Sequence, residues 1–418
     1  MGPGEVPLAQ CQAGVLWSVS GGEGSELFRS ALPLPSLGRD EGFHMLFNGD
    51  RFLELLPLLH YLRRAVRGDA FDGPPLRACF IFDDPNLHWP SYGFLDYREI
   101  VARAKKFRYH VSFATIPLDT WYTHAGAARI FRDNPGQVSL CIHGNNHTKR
   151  ELARSYVPAN RQALLRQAIR RIERLEAKSG VRICRLMVPP HGACSEDMLQ
   201  ELPNAGFEGA CVSHSSLWSH NRDRAWSRRL GYFPSEIIGV CPVLPRWGMT
   251  PDVKATILVA AFLGQPIILR GHHKDVKGGL ELLDELAAFI NGFGDVRWCN
   301  LSALSRFNVQ WRLAGKACWL RPFSRNVEYQ VPEAVRSLTI DPLPGALAQE
   351  RWEVGGQDGA WAVLTAGTTL ALDTVPKGFI SVQLLRSDSV RSETPELGPT
   401  MATVLRRVLT EARDRLRL

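Results

Sequence analysis

The sequence predicts an α/β protein with a parallel β-sheet, followed by a small all-β sandwich domain. Between about residues 76 and 300, short apolar runs alternate with longer segments whose apolar residues recur at helical spacing. Repeated βα alternation of this kind predicts a parallel sheet, either open or closed into a barrel. After about residue 310, short β-rich segments follow one another with turn residues between them. This second pattern is typical of an all-β sandwich.

The pattern divides the chain into four regions. Residues 1–70 form an N-terminal lead-in, rich in glycine, proline and serine, that ends in a helix, and residues 71–310 form the α/β region. Residues 311–390 form the sandwich, and residues 391–418 form an amphipathic C-terminal helix with arginines on its polar side. That helix is expected either to pack on the body of the protein or to dock a partner.

Within the α/β region, periodicity predicts the elements in order. The predicted strands cover residues 77–82, 110–116, 138–142, 183–188, 209–212, 266–269 and 296–300, and the predicted helices cover 97–107, 121–131, 161–178, 195–205, 251–263 and 279–291. The segment 213–250, with many Trp, His, Arg and Pro residues, is predicted to be a long loop. Candidate polar residues follow the strand ends, where α/β folds place their ligands.

Composition favours a globular protein of the cytoplasm. The chain has 418 residues and a net charge of +8, but the basic residues are spread thinly and no nucleic-acid-binding signature is present, so no nucleic-acid partner is expected. Nine cysteines without CxxC spacing indicate reduced thiols. No signal peptide and no apolar run of about eighteen residues are found, so no transmembrane segment is expected. The oligomeric state is not fixed by the sequence.

The strongest candidate site combines two aspartates with two histidines. Asp83 and Asp84 end the apolar run 78–82, and His143 and His147 begin and end the sequence His-Gly-Asn-Asn-His after a later strand. Carboxylates are rarely buried unless they are paired or bind a metal. One carboxylate and two imidazoles form an open three-ligand set for a divalent cation, which leaves a position for water or substrate.

These motifs resemble those of the polysaccharide deacetylases, the NodB-homology type of carbohydrate esterase. The family has an aspartate pair after its first barrel strand, then His-x-x-x-His, then x-Pro-Pro-x-Gly, and a histidine after a late strand. This chain has Asp83-Asp84, His143 to His147, Val188-Pro189-Pro190-His191-Gly192 and His272-His273 in that order. The resemblance covers about residues 76–305, and it implies an irregular (β/α)7-type barrel and a carbohydrate substrate.

The resemblance also implies roles for individual residues. Asp84, His143 and His147 would bind a divalent metal, with zinc favoured. Asp83 would act as general base, and His272 or His273 would protonate the leaving amine, with His272 preferred. Further candidates for contact with the substrate are His88, Asn146, Pro190, His191, Trp247 and Asp275. Asp275 could instead orient one of the two histidines or cap the next helix.

The chain departs from the family pattern at three places. Val188 stands where the family usually has an arginine that pairs with the base, so Asp83 needs another partner, for which His191 and Arg270 are candidates. Arg270 and Gly271 precede the His272-His273 pair, and Gly144-Asn145-Asn146 replaces the usual Ser or Thr within His-x-x-x-His.

The predicted function is metal-dependent hydrolysis of an N-acyl or O-acyl group on an amino sugar, oligosaccharide or polysaccharide. One alternative is a non-catalytic carbohydrate-binding or assembly protein on the same barrel, which the Val188 departure supports. The other is a glycoside hydrolase that uses two carboxylates without a metal.

Overall fold

The structure is a computed structural model of the 418-residue chain. It describes residues 4–416 except 23–24, 34, 37, 39–40, 48–50, 52, 67–69, 346–349, 357–358, 373–378 and 386–398.

The N-terminal region contains a three-stranded antiparallel sheet and two helices. They are β1 (Glu5–Cys11), β2 (Gly14–Gly22), β3 (Ser25–Ser30), α1 (Phe43–Leu46) and α2 (Leu56–Ala65). The sheet is more regular than the lead-in that the composition predicts. Helix α2 contributes Leu59 to a buried cluster with Val259 and Leu263, so this region packs on the α/β region.

The α/β region alternates strands and helices largely as predicted. In chain order it contains β4 (Arg77–Asp83), β5 (Ser91–Tyr92), β6 (Leu95–Asp96), α3 (Tyr97–Phe107), β7 (Val111–Thr115), α4 (Ala125–Asp133), β8 (Val138–His143), α5 (Pro158–Ser179), β9 (Ile183–Val188), α6 (Glu196–Ala205), β10 (Gly209–Cys211), α7 (His214–Ser219), β11 (Glu236–Ile238), β12 (Cys241–Leu244), β13 (Trp247–Gly248), α8 (Lys254–Leu263), β14 (Ile267–Gly271), α9 (Glu281–Asn291), β15 (Arg297–Trp298) and α10 (Leu301–Arg306). Short 3-10 helices cover Pro117–Trp121, Pro190–Gly192 and His273–Val276.

The central sheet has the strand order β11-β12-β10-β9-β8-β7-β4-β14-β13, and β15 also pairs with β4. Every pairing is parallel except that of β11 with β12. The carboxyl ends of the parallel strands therefore meet at one edge. The mixed α/β architecture is confirmed.

The predicted barrel is not closed by hydrogen bonds among the described residues. Strand β12 pairs with β10, and β13 pairs with β14 at the opposite end of the sheet. Only Pro245 and Arg246 separate β12 from β13, and the ladder is interrupted there. The segment 213–250 is thus not one long loop, because it contains α7 and these short strands. Strand β12 has four residues and β13 has two, and Pro245 and Arg246 separate them. No apolar repeat in this segment is long enough to predict either strand.

Strand β4 is apolar throughout because it is buried on both faces. Ala78, Phe80 and Phe82 belong to the cluster that packs under the helices, whereas Cys79 and Ile81 belong to a separate inner cluster. Burial on both faces explains a continuous apolar run instead of an alternating one.

The β-rich region contains two four-stranded sheets. Its strands are β16 (Val309–Ala314), β17 (Ala317–Pro322), β18 (Asn326–Gln330), β19 (Ser337–Ile340), β20 (Arg351–Gly356), β21 (Gly359–Thr365), β22 (Thr369–Ala371) and β23 (Phe379–Leu384). The sheet orders are β16-β17-β19-β22 and β18-β23-β20-β21. Both sheets contribute to one buried cluster that includes Leu320, Val327 and Trp352. A shared core is what the predicted sandwich requires, and the sandwich arrangement itself stays a prediction.

The last helix of the chain is α11 (Met401–Arg415). It lies against the carboxyl end of the central sheet, where its polar residues contact the loops after β4, β7, β8 and β14. No helix among the described residues is long and apolar enough to cross a membrane.

Candidate metal centre

The register of the central sheet places the predicted motifs together at the carboxyl ends of its strands. Asp83 pairs with Ala114, His143 pairs with Val188, and Gly271 pairs with Phe82. The aspartate pair, the His-x-x-x-His loop, the Pro-Pro motif and the His272-His273 pair therefore follow neighbouring strand ends. Their convergence is a consequence of parallel pairing.

Asp84, His143 and His147 form a cluster whose ligand atoms all lie within 4.8 Å of one another. Asp84 Oδ1 is 3.1 Å from His147 Nε2 and 3.7 Å from His143 Nε2. His143 is buried, and His147 and Asp84 are largely buried. This is the three-residue set that the sequence predicts as the metal ligands.

Hydrogen bonding shows that this set suits a cation. His143 Nδ1 donates to the backbone carbonyl of Val188 at 2.8 Å, and a carbonyl can only accept. The Nε2 atom, which faces Asp84, therefore carries the lone pair in the neutral ring. Burial lowers the pKa of His143 to about 4, so the ring is neutral at pH 7. A lone pair directed at a carboxylate oxygen is repulsive unless a cation lies between them.

Two buried atoms of the cluster lack a hydrogen-bond partner. Asp84 Oδ1 and His147 Nδ1 are buried and make no hydrogen bond of acceptable geometry, even though His147 Nε2 lies close to Asp84. Burial alone would raise the pKa of Asp84, but His147 and His143 hold it well below its usual range. A negatively charged, unsatisfied carboxylate oxygen beside two imidazole nitrogens is the donor set of an open zinc site.

The backbone of the site is strained. Five non-glycine residues in the described ranges have positive φ, and three of them are Asp84, His147 and His191, with φ of 84°, 53° and 58°. Such conformations cost about 1–3 kcal/mol each and persist where the surrounding structure enforces them, most often at functional sites. The positive φ values therefore indicate the same site as the cluster of metal-ligating side chains does.

One buried carboxylate shapes the loop between the two histidines. Glu151 accepts backbone N–H bonds from Asn145, Asn146 and His147 at 2.8–3.1 Å. Gly144 has φ of +63°, and a Cβ there would lie 2.6–2.7 Å from Pro190 and Glu151. The glycine in His-Gly-Asn-Asn-His is therefore required by the close packing of the loop, and Glu151 is a positioning residue that no motif in the sequence marks.

Asp83 is held by Arg246 instead of by His191 or Arg270. Arg246 Nη1 donates to both carboxylate oxygens at 3.0 and 3.1 Å, and both side chains are buried. Burial would raise the pKa of Asp83, but Arg246, followed by His143 and His272, brings it below its usual value. The arginine missing at position 188 is thus replaced by one at the break between β12 and β13.

The two adjacent histidines have different surroundings. His272 is about half exposed, and it directly follows Gly271, which pairs with Phe82 next to Asp83. His273 is buried, stacks on Phe94, and lies 3.6 Å from Asp414 of α11. Asp275 accepts from the backbone N–H of His272 and caps the following 3-10 helix. This arrangement favours His272 over His273 as the acid.

The remaining substrate candidates lie around the centre and stay predictions. His191 is exposed, with its ring 5.2 Å from that of His147, and Pro190 packs under Gly144. Asn146 accepts from Arg171 through its side-chain oxygen at 2.8 Å. His88 is buried and directs both ring nitrogens at oxygen atoms, one of Glu411 and one of the backbone of Asp119.

Trp247 lines a cavity of about 340 Å³, to which the N-terminal region also contributes. His44, His214 and Trp218 also line it. Trp247 directly follows Arg246, which binds Asp83, so this cavity adjoins the loop that holds the predicted base.

Comparison with known proteins gives matches only at the level of three-dimensional structure. No protein-family model matches the chain, and no curated protein matches its sequence. A structure from Mycobacterium smegmatis, assigned to the polysaccharide deacetylases, matches with a TM-score of 0.39 and 17% identity over 55% of this chain and 89% of that one. A family 4 carbohydrate esterase from Streptomyces lividans matches with a TM-score of 0.33 and 12% identity over 55% and 93% of the two chains.

Other solved structures that match include a peptidoglycan N-acetylglucosamine deacetylase and the family 4 carbohydrate esterase domain of a xylanase. They are of the same family that the motifs resemble. A family 4 pseudoenzyme from Bacillus anthracis also matches, with a TM-score of 0.33 and 10% identity over 56% of this chain and 66% of that one. Similarity at this level transfers no activity to this chain.

Proposed function

We propose that this protein is a metal-dependent hydrolase that removes an acyl group from the nitrogen, or from an oxygen, of a carbohydrate. The observation that carries the proposal is the cluster of Asp84 Oδ1, His143 Nε2 and His147 Nε2, in which the His143 tautomer is fixed by the Val188 carbonyl. Two imidazoles and one carboxylate favour zinc among the common divalent ions.

The neighbouring residues support acid–base chemistry around that ion. A divalent ion in this position polarises an acyl carbonyl and acidifies water. Asp83, charged and oriented by Arg246, accepts a proton from the attacking water. His272, half exposed after the neighbouring strand β14, donates a proton to the leaving nitrogen or oxygen. The two adjacent aspartates thus have separate jobs, Asp84 as ligand and Asp83 as base.

The surroundings also fit a sugar substrate. His191 is exposed beside the metal ligands, and Trp247 and Trp218 line the adjoining cavity. Aromatic side chains present large apolar faces with polar edges, which suits the faces of sugar rings. Zinc as the metal, a cytoplasmic location and the absence of a nucleic-acid partner stay predictions.

Metal content tests the ligand assignment. Protein purified without chelator and loaded with zinc is expected to retain about one ion per chain by elemental analysis, as an open three-ligand site requires. The double variant His143→Ala/His147→Ala is expected to retain none, whereas His220→Ala, which removes an imidazole outside the cluster, keeps the ion. Equal zinc in all three proteins would contradict the assignment.

Acetate release tests the reaction. N-acetylated and O-acetylated oligosaccharides are incubated with the zinc-loaded protein, with Asp83→Asn and with the double histidine variant. Loss of a general base is expected to lower the rate by about 10²–10⁴-fold while Asp83→Asn still binds zinc. Binding of oligosaccharide without any release in the wild type would instead support a non-catalytic binding protein. Cleavage of glycosidic bonds by the metal-free protein would support the glycoside hydrolase alternative.

A further inference from the structure

Helix α11 packs on the protein with its polar side and exposes its apolar side. Its inward positions, spaced at helical intervals, are Val404, Arg407, Glu411 and Asp414. Its outward apolar side chains, with 52–83% of their surface exposed, are Met401, Leu405, Val408, Leu409 and Leu416. A helix on the surface of a globular protein ordinarily shows the reverse arrangement.

The inward side is fixed by specific ionic contacts. Arg407 and Asp119 form an ion pair in which each side chain is only 4% exposed. Glu411 accepts from His88 at 2.8 Å, and Asp414 accepts from the Tyr92 hydroxyl at 2.9 Å. Turning the helix to bury its apolar side would break these pairs inside the protein. The outward apolar face is therefore a consequence of the packing and belongs to the folded state.

The exposed face continues beyond the helix. Trp121, which is 68% exposed, has its ring 4.9 Å from that of His88, the residue that binds Glu411. Tyr122 follows it and is also exposed. Tryptophan and tyrosine are the residues enriched at membrane–water interfaces, because their rings have an apolar body and a polar edge.

Basic side chains border the apolar face. Arg406 of α11 donates to the backbone oxygen of His147, and the exposed residues Lys149, Arg150 and Arg154 follow in the same loop region. The acidic residues of α11 are turned inward and paired. The outward surface is thus apolar with a positive border, which is complementary to an anionic surface.

A second copy of the chain fits this face less well. A 15-residue helix is about 22 Å long and about 10 Å wide, so it covers roughly 220 Å², whereas a stable interface buries roughly 800 Å² on each partner. Pairing two such faces would also bring their positive borders together.

We propose that the outer face of α11, together with Trp121, docks the protein onto an anionic lipid surface. Leu405, Val408 and Leu409 enter the boundary between headgroups and acyl chains, and the basic border contacts the lipid phosphates. Because α11 covers the carboxyl end of the central sheet, docking places the metal centre at the lipid surface. This inference rests on the packing of α11 and does not depend on the proposed reaction.

Sedimentation with vesicles tests the proposal. The full chain is mixed with vesicles of phosphatidylcholine alone or with about one third phosphatidylglycerol. It is expected to sediment with the mixed vesicles, less with the neutral ones, and less as salt is raised. Leu405→Ser/Val408→Ser/Leu409→Ser is expected to weaken partition by at least about tenfold, since each exposed aliphatic side chain adds to insertion.

A matched variant controls for general surface hydrophobicity. Leu62→Ser/Val66→Ser/Leu258→Ser alters three exposed aliphatic residues around α2 and α8, and it is expected to sediment as the wild type does. The proposal is overturned if the wild type does not bind mixed vesicles, or if the two triple variants behave alike. It is also overturned if sedimentation velocity shows a dimer that only the α11 variant abolishes, since a second copy would then be the occupant.

Quenching of tryptophan fluorescence by lipid tests the same proposal without the Leu405→Ser/Val408→Ser/Leu409→Ser variant, so the result does not depend on whether that variant folds. Brominated phosphatidylcholine in the mixed vesicles is expected to quench part of the wild-type tryptophan fluorescence. Trp121→Phe, on the exposed face, is expected to remove most of that quenching, whereas Trp361→Phe, exposed in the β-rich region, is not. Unchanged quenching in Trp121→Phe contradicts the proposed orientation.

Discussion

At the scale of single residues, the two adjacent aspartates have opposite environments. Asp83 ends β4 and is buried against Arg246, whereas Asp84 has positive φ and faces His143 and His147. Successive residues of an extended strand point to opposite sides, and the change of backbone conformation at Asp84 redirects its carboxylate. The sequence motif singles out this pair, and the division into metal ligand and general base stays a prediction.

Arg246 could not be predicted, because it follows a strand of four residues that contains a proline and lies within a segment without clear periodicity. One signal was present: Pro245-Arg246 follows a short apolar run, as the other candidate residues follow theirs. Recognising that run as a strand would have placed an arginine at the same edge of the sheet.

Removal of Arg246 is expected to destabilise the fold through Asp83. Arg246→Met leaves a buried carboxylate without its partner, which is expected to reduce the free energy of unfolding by about 3–5 kcal/mol in urea at pH 7. The double variant with Asp83→Asn is expected to recover part of the loss. A similar stability of Arg246→Met and wild type at pH 7 would show that the ion pair is dispensable.

The pH dependence of that difference follows from the lowered pKa of Asp83. A lowered pKa in the folded state gives stability that is present above the ordinary aspartate pKa and is lost as the pH falls through the folded value. The gap between wild type and Arg246→Met is therefore expected to narrow below about pH 4.

At the scale of elements, α11 has the arrangement least expected from its sequence. The helix covers Met401–Arg415, inside the region 391–418 predicted to be an amphipathic helix, of which residues 391–398 and 417–418 lie outside the described part of the chain. Which side faces inward was decided by partners far away in the chain: Asp119, His88 and Tyr92 lie about 290–320 residues before the helix. Burial of ionic pairs outweighed burial of aliphatic side chains at this location.

Acid is expected to loosen α11 through Glu411. Burial alone would raise the pKa of Glu411, but the hydrogen bond from His88 and the contact with Arg415 lower it to about 2. The stability that this carboxylate gives is present above its ordinary pKa of 4.5 and is lost as the pH falls towards about 2.

Urea unfolding of the wild type and of Glu411→Gln between about pH 6 and pH 2.5 measures this contribution. The wild type is expected to lose about 2 kcal/mol more than the variant over that range. Glu173→Gln, at an exposed position on α5, should follow the wild type. Parallel pH profiles of wild type and Glu411→Gln would contradict the assigned role.

At the scale of the whole molecule, a buried polar junction joins the α/β region to the β-rich region. Arg77 of β4 is fully buried and donates to the backbone oxygen of Leu304, to that of Gly264 and to Asn308 Oδ1. Asn308 in turn donates to Ser235 Oγ at 2.8 Å and to the backbone oxygen of Phe323 at 3.2 Å. The pKa of Arg77 falls to about 9 through burial, so these acceptors are needed to hold its charge.

Loss of Asn308 is expected to uncouple the two regions. Asn308→Ala removes one hydrogen bond from Arg77 and one from the Phe323 carbonyl. The free energy of unfolding is expected to fall by about 2–4 kcal/mol. Calorimetry is expected to show one transition for the wild type and an earlier, split transition for the variant. Asn134→Ala, which removes a side-chain bond at the end of α4, serves as control. One unsplit transition in Asn308→Ala, at the wild-type temperature, would refute the coupling.

The sequence by itself determined the βα alternation, the β-rich region, the terminal helix and the residues of the metal cluster, because these depend on local periodicity and on motifs at strand ends. Only the tertiary structure decided that Arg246 orients Asp83, that Glu151 shapes the histidine loop, and that α11 turns its apolar side outward. Arg246 and the inward residues of α11 contact partners that are distant in the chain, whereas Glu151 acts within one loop whose hydrogen bonds follow no repeating pattern. Which charged residues pair at the strand ends depends on the order of the strands in the sheet. Local periodicity predicts single strands and helices, but it does not predict that strand order.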